Sequence, residues 1–369
     1  MVIVDNRAPA WKDGAHWSID PTPVVDLGSA DAAREYQFQN IVDAVRLPDG
    51  GYAVADNGRL QVLFYDAAGR YRATAGRKGG GPGEFRWVQA LAVTGDSVLV
   101  YDPELGRLTL LAPNGDLRGT VQLAETGDQG HALHTHGLAG VMGGHLVLTP
   151  RVFMPGGGCD IGMCWDSAAL LAYTMTGDVV DTVAEPVGED VALGTNGFGI
   201  ATFGAFSQEA VARAFLFVTD TRTYEIHAYR PDGRMRRVIR RAWQPRPVTS
   251  DDRDRWVRHY VLQSGASSVD DPHVASLRHM LEASPVADHM PALLMLKAEP
   301  NSTLWVADCR APWATGPMTW SVFDTAGIWL GQVRTPDRFT VLRLTGDAVL
   351  GVQRDSLDVQ HFQVLRVNR

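Results

Sequence analysis

Apolar residues along this chain come in short β-branched runs broken by Gly, Asn and Asp, which is the spacing of strands and tight turns. One composite pattern recurs. A run ending in Asp leads through a turn to a second apolar run that stops at a Gly turn. The first copy is Tyr52-Ala53-Val54-Ala55-Asp56 followed by Leu63-Phe64-Tyr65-Asp66-Ala67-Ala68-Gly69. The second is Val98-Leu99-Val100-Tyr101-Asp102 followed by Leu110-Leu111-Ala112-Pro113-Asn114-Gly115, and another is Leu216-Phe217-Val218-Thr219-Asp220 followed by Ala228-Tyr229-Arg230-Pro231-Asp232-Gly233. In all three the Asp and the closing Gly are 13 residues apart, a coincidence that points to a repeated unit. Leu304-Trp305-Val306-Ala307-Asp308 with Val322-Phe323-Asp324-Thr325-Ala326-Gly327 has a longer turn. Leu146-Val147-Leu148-Thr149 with Leu171-Ala172-Tyr173 is weaker and carries an inserted loop, and the stretch from Asp347 to Val364 stops before an outer strand.

Strand-built repeats of roughly 40–60 residues are propeller blades, and six are counted. The expected fold is all-β: a six-bladed β-propeller occupying residues 1–369 as one domain. A β-sandwich with chance repetition is the alternative. Because the last unit lacks an outer strand, the stretch Trp17–Gly28 is expected to supply it and close the ring, leaving no open edge. Residues 250–289 depart from the pattern. Ser250-Asp251-Asp252 reads as a cap before Trp256, Tyr260 and Val261 at helical spacing, and Asp271-Pro272 starts a second segment with Val274, Leu277 and Leu281 on one face. A helical insertion between blades four and five is expected, either shaping a binding surface or merely packing on one face.

Composition sharpens this picture. The 38 Gly and 20 Pro exclude a helical bundle, and 45% hydrophobic with 21% charged residues excludes wholesale disorder. A net charge of −8 argues against nucleic acid as a partner. No apolar run approaches the roughly 18–20 residues a transmembrane helix needs, so a soluble chain is expected.

Cys159 and Cys164 sit in a glycine-rich loop, Gly156-Gly157-Gly158-Cys159-Asp160-Ile161-Gly162-Met163-Cys164, whose backbone freedom lets the two sulfurs meet. A local disulfide is the preferred reading and implies an oxidising compartment. Two reduced thiols are the alternative, and a metal is disfavoured because no second Cys or His pair follows. Cys309 has no evident partner. The opening Met1-Val2-Ile3-Val4-Asp5-Asn6 shows no signal peptide and begins on strand-like residues. The protein is therefore expected to be extracytoplasmic, periplasmic or lipid-anchored, if a leader precedes this sequence, and cytoplasmic otherwise.

The linker Gly76-Arg77-Lys78-Gly79-Gly80-Gly81-Pro82-Gly83-Glu84-Phe85, taken with Val54-Ala55-Asp56-Asn57 and Phe64-Tyr65-Asp66, resembles the bacterial six-bladed propeller proteins with NHL-like repeats, which carry a G-x-G-P-G-x-F loop between blades. Ile3-Val4-Asp5-Asn6 is similar to the start of their mature domains. The resemblance covers essentially the whole chain and implies a fold, with export as a common property of the family. It is nearly silent on activity. No Lys-Ser/Thr and no helix follow the glycines, so they form neither a P-loop nor a dinucleotide site. They are expected to permit a tight crossing between blades with Phe85 packed beneath.

The loops entering each innermost strand, and those between second and third strands, should gather at one end of the axis, where small-molecule sites form. Those positions hold Asn57, Arg59, Arg86, Trp87, Arg151, Arg222, Arg310 and Trp313. The set is cationic and aromatic and suits a small anionic or carbohydrate-like ligand, or a protein partner. Against this, several of the arginines could pair with Asp56, Asp102, Asp220 or Asp308 to hold turns. In His131-Ala132-Leu133-His134-Thr135-His136, His134 and His136 would share a strand face and are weak metal candidates. The run Arg234-Met235-Arg236-Arg237-Val238-Ile239-Arg240-Arg241 belongs on a solvated outer strand, where cations discourage edge pairing. No G-x-S-x-G elbow or H-E-x-x-H is present, nor the early acidic metal ligand of lactone-hydrolysing propellers. The favoured reading is a non-catalytic, monomeric binding propeller without a cofactor, with its ligand at the mouth of the axial channel. The rival is a metal-dependent hydrolase or lyase, lactonase-like, holding one calcium or transition-metal ion.

Overall fold

A computed structural model of the chain describes residues 1–12, 16–124, 135–151, 162–167, 169–185, 187–194 and 197–369. Six antiparallel meanders follow one another. Blade one comprises Ile41–Arg46, Tyr52–Asp56, Gln61–Tyr65 and Tyr71–Ala75, and blade two comprises Ala90–Thr94, Ser97–Asp102, Arg107–Leu111 and Leu117–Gln122. Blade three is built of Thr135–Met142, His145–Arg151, Leu170–Tyr173 and Val179–Ala184. Blade four runs Gln208–Val211, Leu216–Thr219, Glu225–Tyr229 and Met235–Arg241; blade five runs Leu293–Ala298, Leu304–Asp308, Thr319–Phe323 and Trp329–Arg334. Blade six contributes Phe339–Leu344, Ala348–Arg354 and Gln360–Asn368. The first strand of each blade is innermost, and these six strands neighbour one another in a closed ring, blade six beside blade one. The fold is the expected six-bladed β-propeller.

The core is divided in a way that explains the sequence pattern. Six apolar clusters each fill one interface between neighbouring blades. In the second strand of blade one, Tyr52 and Val54 face blade six while Ala53 and Ala55 face blade two. Strands buried on both faces read as continuous apolar runs, hence the absence of polar alternation. Trp305 and Trp320 of blade five are wholly buried against blade six. Burying a side chain of this kind stabilises by roughly 1.5–3 kcal/mol relative to exposure.

Ring closure follows the expectation in two pieces. Val25–Leu27 pairs antiparallel with Phe362–Val364 of blade six, and Ser18–Ile19 pairs with Val367 and Asn368. A second closure was not legible in the sequence. Val2–Asn6 lies parallel along Met235–Arg241, with Val2 opposite Arg237 and Asn6 opposite Arg241. Asn6 continues the tie into blade five, its Nδ2 donating to Gly327 O at 3.0 Å and its Oδ1 accepting from Trp329 N at 2.8 Å. The arginine-rich strand is the outer strand of its blade and keeps Arg234, Arg236 and Arg240 exposed, as expected, but it is not an edge, which corrects that part of the expectation. Its cations are spent on neighbours: Arg237 donates to Thr325 O, Arg240 pairs with Glu225, and Arg241 reaches Asp308 of blade five.

The helical insertion is present as α1, Ser250–Gln263, and α2, Ala275–Ala283. The cap of α1 is Thr249, one residue before the expected position: Asp252 N donates to its Oγ1 while Asp252 Oδ2 accepts from Thr249 N. Asp271 caps the short turn Pro272–Val274 that leads into α2, as expected. An additional small sheet, Gly162–Ser167 with Val187–Gly194 and Gly197–Ile200, comes from the insertion in blade three and the connection to blade four.

Four of the six innermost strands carry a bulge, at Val42, Ala139, Leu294 and Leu342. A bulge re-aims the residue that follows it. Asp43 and Arg343 follow two of these and meet: Arg343 Nε donates to Asp43 Oδ1 at 3.0 Å and Nη2 to Oδ2 at 2.6 Å. The same pair closes the backbone of blade two, Arg343 Nη2 donating to Leu91 O at 2.9 Å and Leu91 N donating to Asp43 Oδ2 at 2.9 Å. Removing one partner of a buried pair leaves an uncompensated charge, at a cost of about 3 kcal/mol. Arg343→Met is expected to lower unfolding free energy by that order in a denaturant titration, and Asp43→Ala/Arg343→Met to recover part of the loss. A change in Arg343→Met below about 1 kcal/mol would show that the pair is dispensable to the ring.

Candidate functional site

The strand connections at one end of the ring are held by carboxylates from the repeated Asp. Asp56, fully buried, accepts from Gln39 N, Asn40 N and Arg59 N. Asp102, also fully buried, accepts from Arg86 N, Trp87 N and Leu105 N. Each such Asp fixes the chain entering its own blade, which is why Asp recurs at the end of the second strand. The glycine loop is structural, as expected. Arg107 donates to the carbonyls of Gly80, Gly81 and Glu84, and Phe85 is fully buried against Gly76, where a Cβ would lie 2.5 Å from the ring.

At this end, between blades six and one, lies a cavity of about 660 Å³ whose wall includes Arg34, Gln39, Arg59, Gln61, Arg354 and Gln360. The segment before blade one is built rigidly over it. Arg59 Nη1 donates to Arg34 O at 2.9 Å and Gln37 O at 3.0 Å, and Gln37 Nε2 donates to Ala30 O and Ala32 O. With its backbone held, this segment presents the Arg34 guanidinium and the Gln39 amide with no protein partner among the described residues. Gln360 is 5% exposed, and its Oε1 accepts from Ile41 N at 2.7 Å, leaving Nε2 without an acceptor among the described residues. The Oε1 of Gln61 is buried and finds no donor. Buried polar atoms are nearly always satisfied, so the unmet Oε1 of Gln61 in a cavity wall is a place for a ligand or water.

The sequence-expected residues do not converge on one pocket. Arg59 lines this cavity but its guanidinium holds the loop. Asn57 Oδ1 accepts from Val88 N and links blade one to the next loop. Arg86 and Trp87 are exposed on that loop, Trp87 to 41%. Arg222 is bound to Asp190 at 2.6 Å and to Asp220 at 3.2 Å, the turn-holding alternative. Trp313 packs edge-on to Phe203 at 6.0 Å and beside His259 of α1, within an aromatic cluster that includes Trp256. The side chain of Arg151, that of His136, and all of His134 lie outside the described residues, as does the Cys159–Cys164 pairing. Among the described residues, no three His, Cys, Asp or Glu side chains are grouped to hold a metal ion, and no helix is long and apolar enough to cross a membrane.

Two features went unread in the sequence. The first is the amide set Gln39, Gln61 and Gln360, which is scattered over three elements. The second is the charge within the channel: single ionic residues inside apolar innermost strands, namely Asp43, Glu209, Lys297 and Arg343. That interruption of an apolar run was the available signal. Glu209 Oε1 accepts from Thr149 Oγ1 at 3.0 Å. Burial, and then the charge of Arg343, push the Lys297 ammonium down to about 8, against the opposing pull of Asp43 and Glu209.

No family model matches the chain, and no curated protein does. Among solved structures, a member of the DUF4221 family from Bacteroides vulgatus aligns with 96% of this chain and 99% of its own, at a TM-score of 0.55 and 6% identity. A candidate exported protein from Bacteroides fragilis aligns with 100% of this chain and 99% of its own, at 0.53 and 9% identity. Both likenesses establish a shared fold. Regucalcin from Agrobacterium tumefaciens, a calcium-binding protein, aligns with 99% of this chain and 97% of its own at a TM-score of 0.39 and 11% identity.

A second cavity, about 430 Å³, lies between blades four and five and is lined by Arg241, Trp243, Arg246, Cys309 and Arg310 among others. Its arginines are engaged: Arg241 with Asp308, Arg246 with Asp252, and Arg310 with Gly316 O. Burial pushes the Cys309 thiol up to about 11, with Arg246 acting weakly in the other direction. The thiolate is the nucleophile, so this side chain is inert at neutral pH. Iodoacetamide is expected to modify Cys309 in the native protein only as pH rises toward that value, and readily at pH 8 in denaturant. Fast native labelling at pH 8, located by peptide mass, would contradict this.

Proposed function

We propose that the protein is a binding propeller whose ligand is a small, hydroxyl-bearing anion of the acidic-sugar class, held in the cavity between blades six and one. The observation that carries the reading is the wall itself. Among the described residues the Arg34 guanidinium has no protein partner, and it stands with amides at Gln39, Gln61 and Gln360 that have hydrogen-bonding atoms to spare. Amides serve hydroxyl groups as both donor and acceptor, and guanidinium matches a carboxylate. Arg59 is the member of the expected set that the cavity includes. Kinship with the NHL-like propellers belongs to the same reading, supported by the Gly79–Phe85 loop. So does a location outside the cytoplasm, which a Cys159–Cys164 bridge would suit.

Titration calorimetry with glucuronate, galacturonate and their short oligomers, set beside the neutral sugars, tests it. At least one acidic sugar is expected to bind more tightly than its neutral counterpart. Arg34→Ala and Gln61→Leu should each weaken it about tenfold or more, the worth of one charge-assisted or buried hydrogen bond, with an unchanged thermal transition. No binding by any acidic sugar, or equal affinity in both variants, would refute the assignment.

A further inference from the structure

Lysine is scarce in this chain: three residues, Lys12, Lys78 and Lys297, beside 31 arginines. Lys12 and Lys78 are exposed. Lys297 is the fifth residue of the innermost strand Leu293–Ala298, and Arg343 is the fifth of the adjacent innermost strand Phe339–Leu344. The two stand at the same level of neighbouring blades. Both side chains keep some open surface although protein encloses them, the situation of groups lining a narrow lumen. Lys297 makes no hydrogen bond or ion pair with any described residue, although an ammonium carries three donors. Arg343 commits Nε and Nη2 to Asp43 and Leu91 O, and its Nη1 has no acceptor among the described residues. The charged groups around the amine are Arg343 from blade six, Asp43 from blade one and Glu209 from blade four.

We propose that the axial channel is a second site, distinct from the cavity, in which Lys297 reversibly captures a small 2-oxo acid as an imine. Arginine cannot do this chemistry; a lysine shielded from water can, because the uncharged amine is the nucleophile. The amine lone pair attacks the carbonyl carbon, and both N–H hydrogens leave with the carbonyl oxygen as water. A C=N bond replaces C=O, and no redox change occurs. The ligand's carboxylate is placed on the spare Nη1 of Arg343, whose own charge Asp43 balances. That arrangement selects an oxo acid over a neutral aldehyde. Depression of the ammonium by burial and by Arg343 raises the neutral fraction at physiological pH, in the same direction.

Glyoxylate with cyanoborohydride, applied to the full chain at pH 7 and followed by peptide mapping, reads the capture as a carboxymethyl group on a given amine. Lys297 is expected to be modified about tenfold faster than Lys12, Lys78 or the α-amine. Propionaldehyde, of similar reach but neutral, should modify it about tenfold more slowly than glyoxylate does. Lys297→Arg keeps the cation and should retain the thermal transition while overall labelling falls to that of the exposed amines. Labelling confined to Lys12, Lys78 and the N-terminus would overturn the site. Equal rates for glyoxylate and propionaldehyde at Lys297 would overturn the oxo-acid assignment.

Discussion

The innermost strand of every blade is an edge, paired on one side only, and its remaining backbone groups face the axis of the ring. That constraint governs the rest of the structure. Where blades six, one and two meet, it is resolved by one ion pair: Asp43 accepts from Leu91 N and its own neighbour Ala44 N, while Arg343 covers Leu91 O. The bulges that precede both residues turn them toward each other. The ring is closed at its centre by this pair and at its rim by Ser18–Ile19 and Val25–Leu27, so both closures involve blade six. A charge network at the axis follows from the same solution, and among the described residues it leaves Lys297 without a partner.

Farther from the axis, the repeated Asp performs the comparable service for the loops. Asp56 and Asp102 each draw three backbone N–H groups onto one buried carboxylate. In blades four and five the corresponding Asp220 and Asp308 bind arginines instead, Arg222 and Arg241. Arg222 stands in the same turn as Asp220 and Arg241 comes from the outer strand of blade four, while the small sheet, whose Asp190 also binds Arg222, and α1 crowd this end of the ring. The loop end is therefore uneven: crowded over blades three to five, open over blades six and one, where the larger cavity forms.

The architecture was legible because each blade buries both faces, which writes an unbroken apolar run and a turn into every unit. The N-terminal closure by Val25–Leu27 was legible for the same reason, since an incomplete last unit demands a strand. The parallel pairing of Val2–Asn6 was not: it joins residues more than 230 positions apart with no hairpin turn to announce it. The site was harder still. Arginine at a loop position says nothing of whether its guanidinium is free. Arg59 and Arg222 hold turns, whereas Arg34, passed over, has its head group to spare. Gln61 and Gln360 stand 299 positions apart and acquire meaning only when the last blade is set beside the first.

A crystal structure of the full chain with a uronic acid bound is the most direct measurement of the central claim. The account predicts the carboxylate on Arg34 and ring hydroxyls on Gln61 and Gln360, with the segment before blade one unmoved. A sugar bound over blades three to five, or at Arg86 and Trp87 with the cavity between blades six and one holding only water, would contradict it.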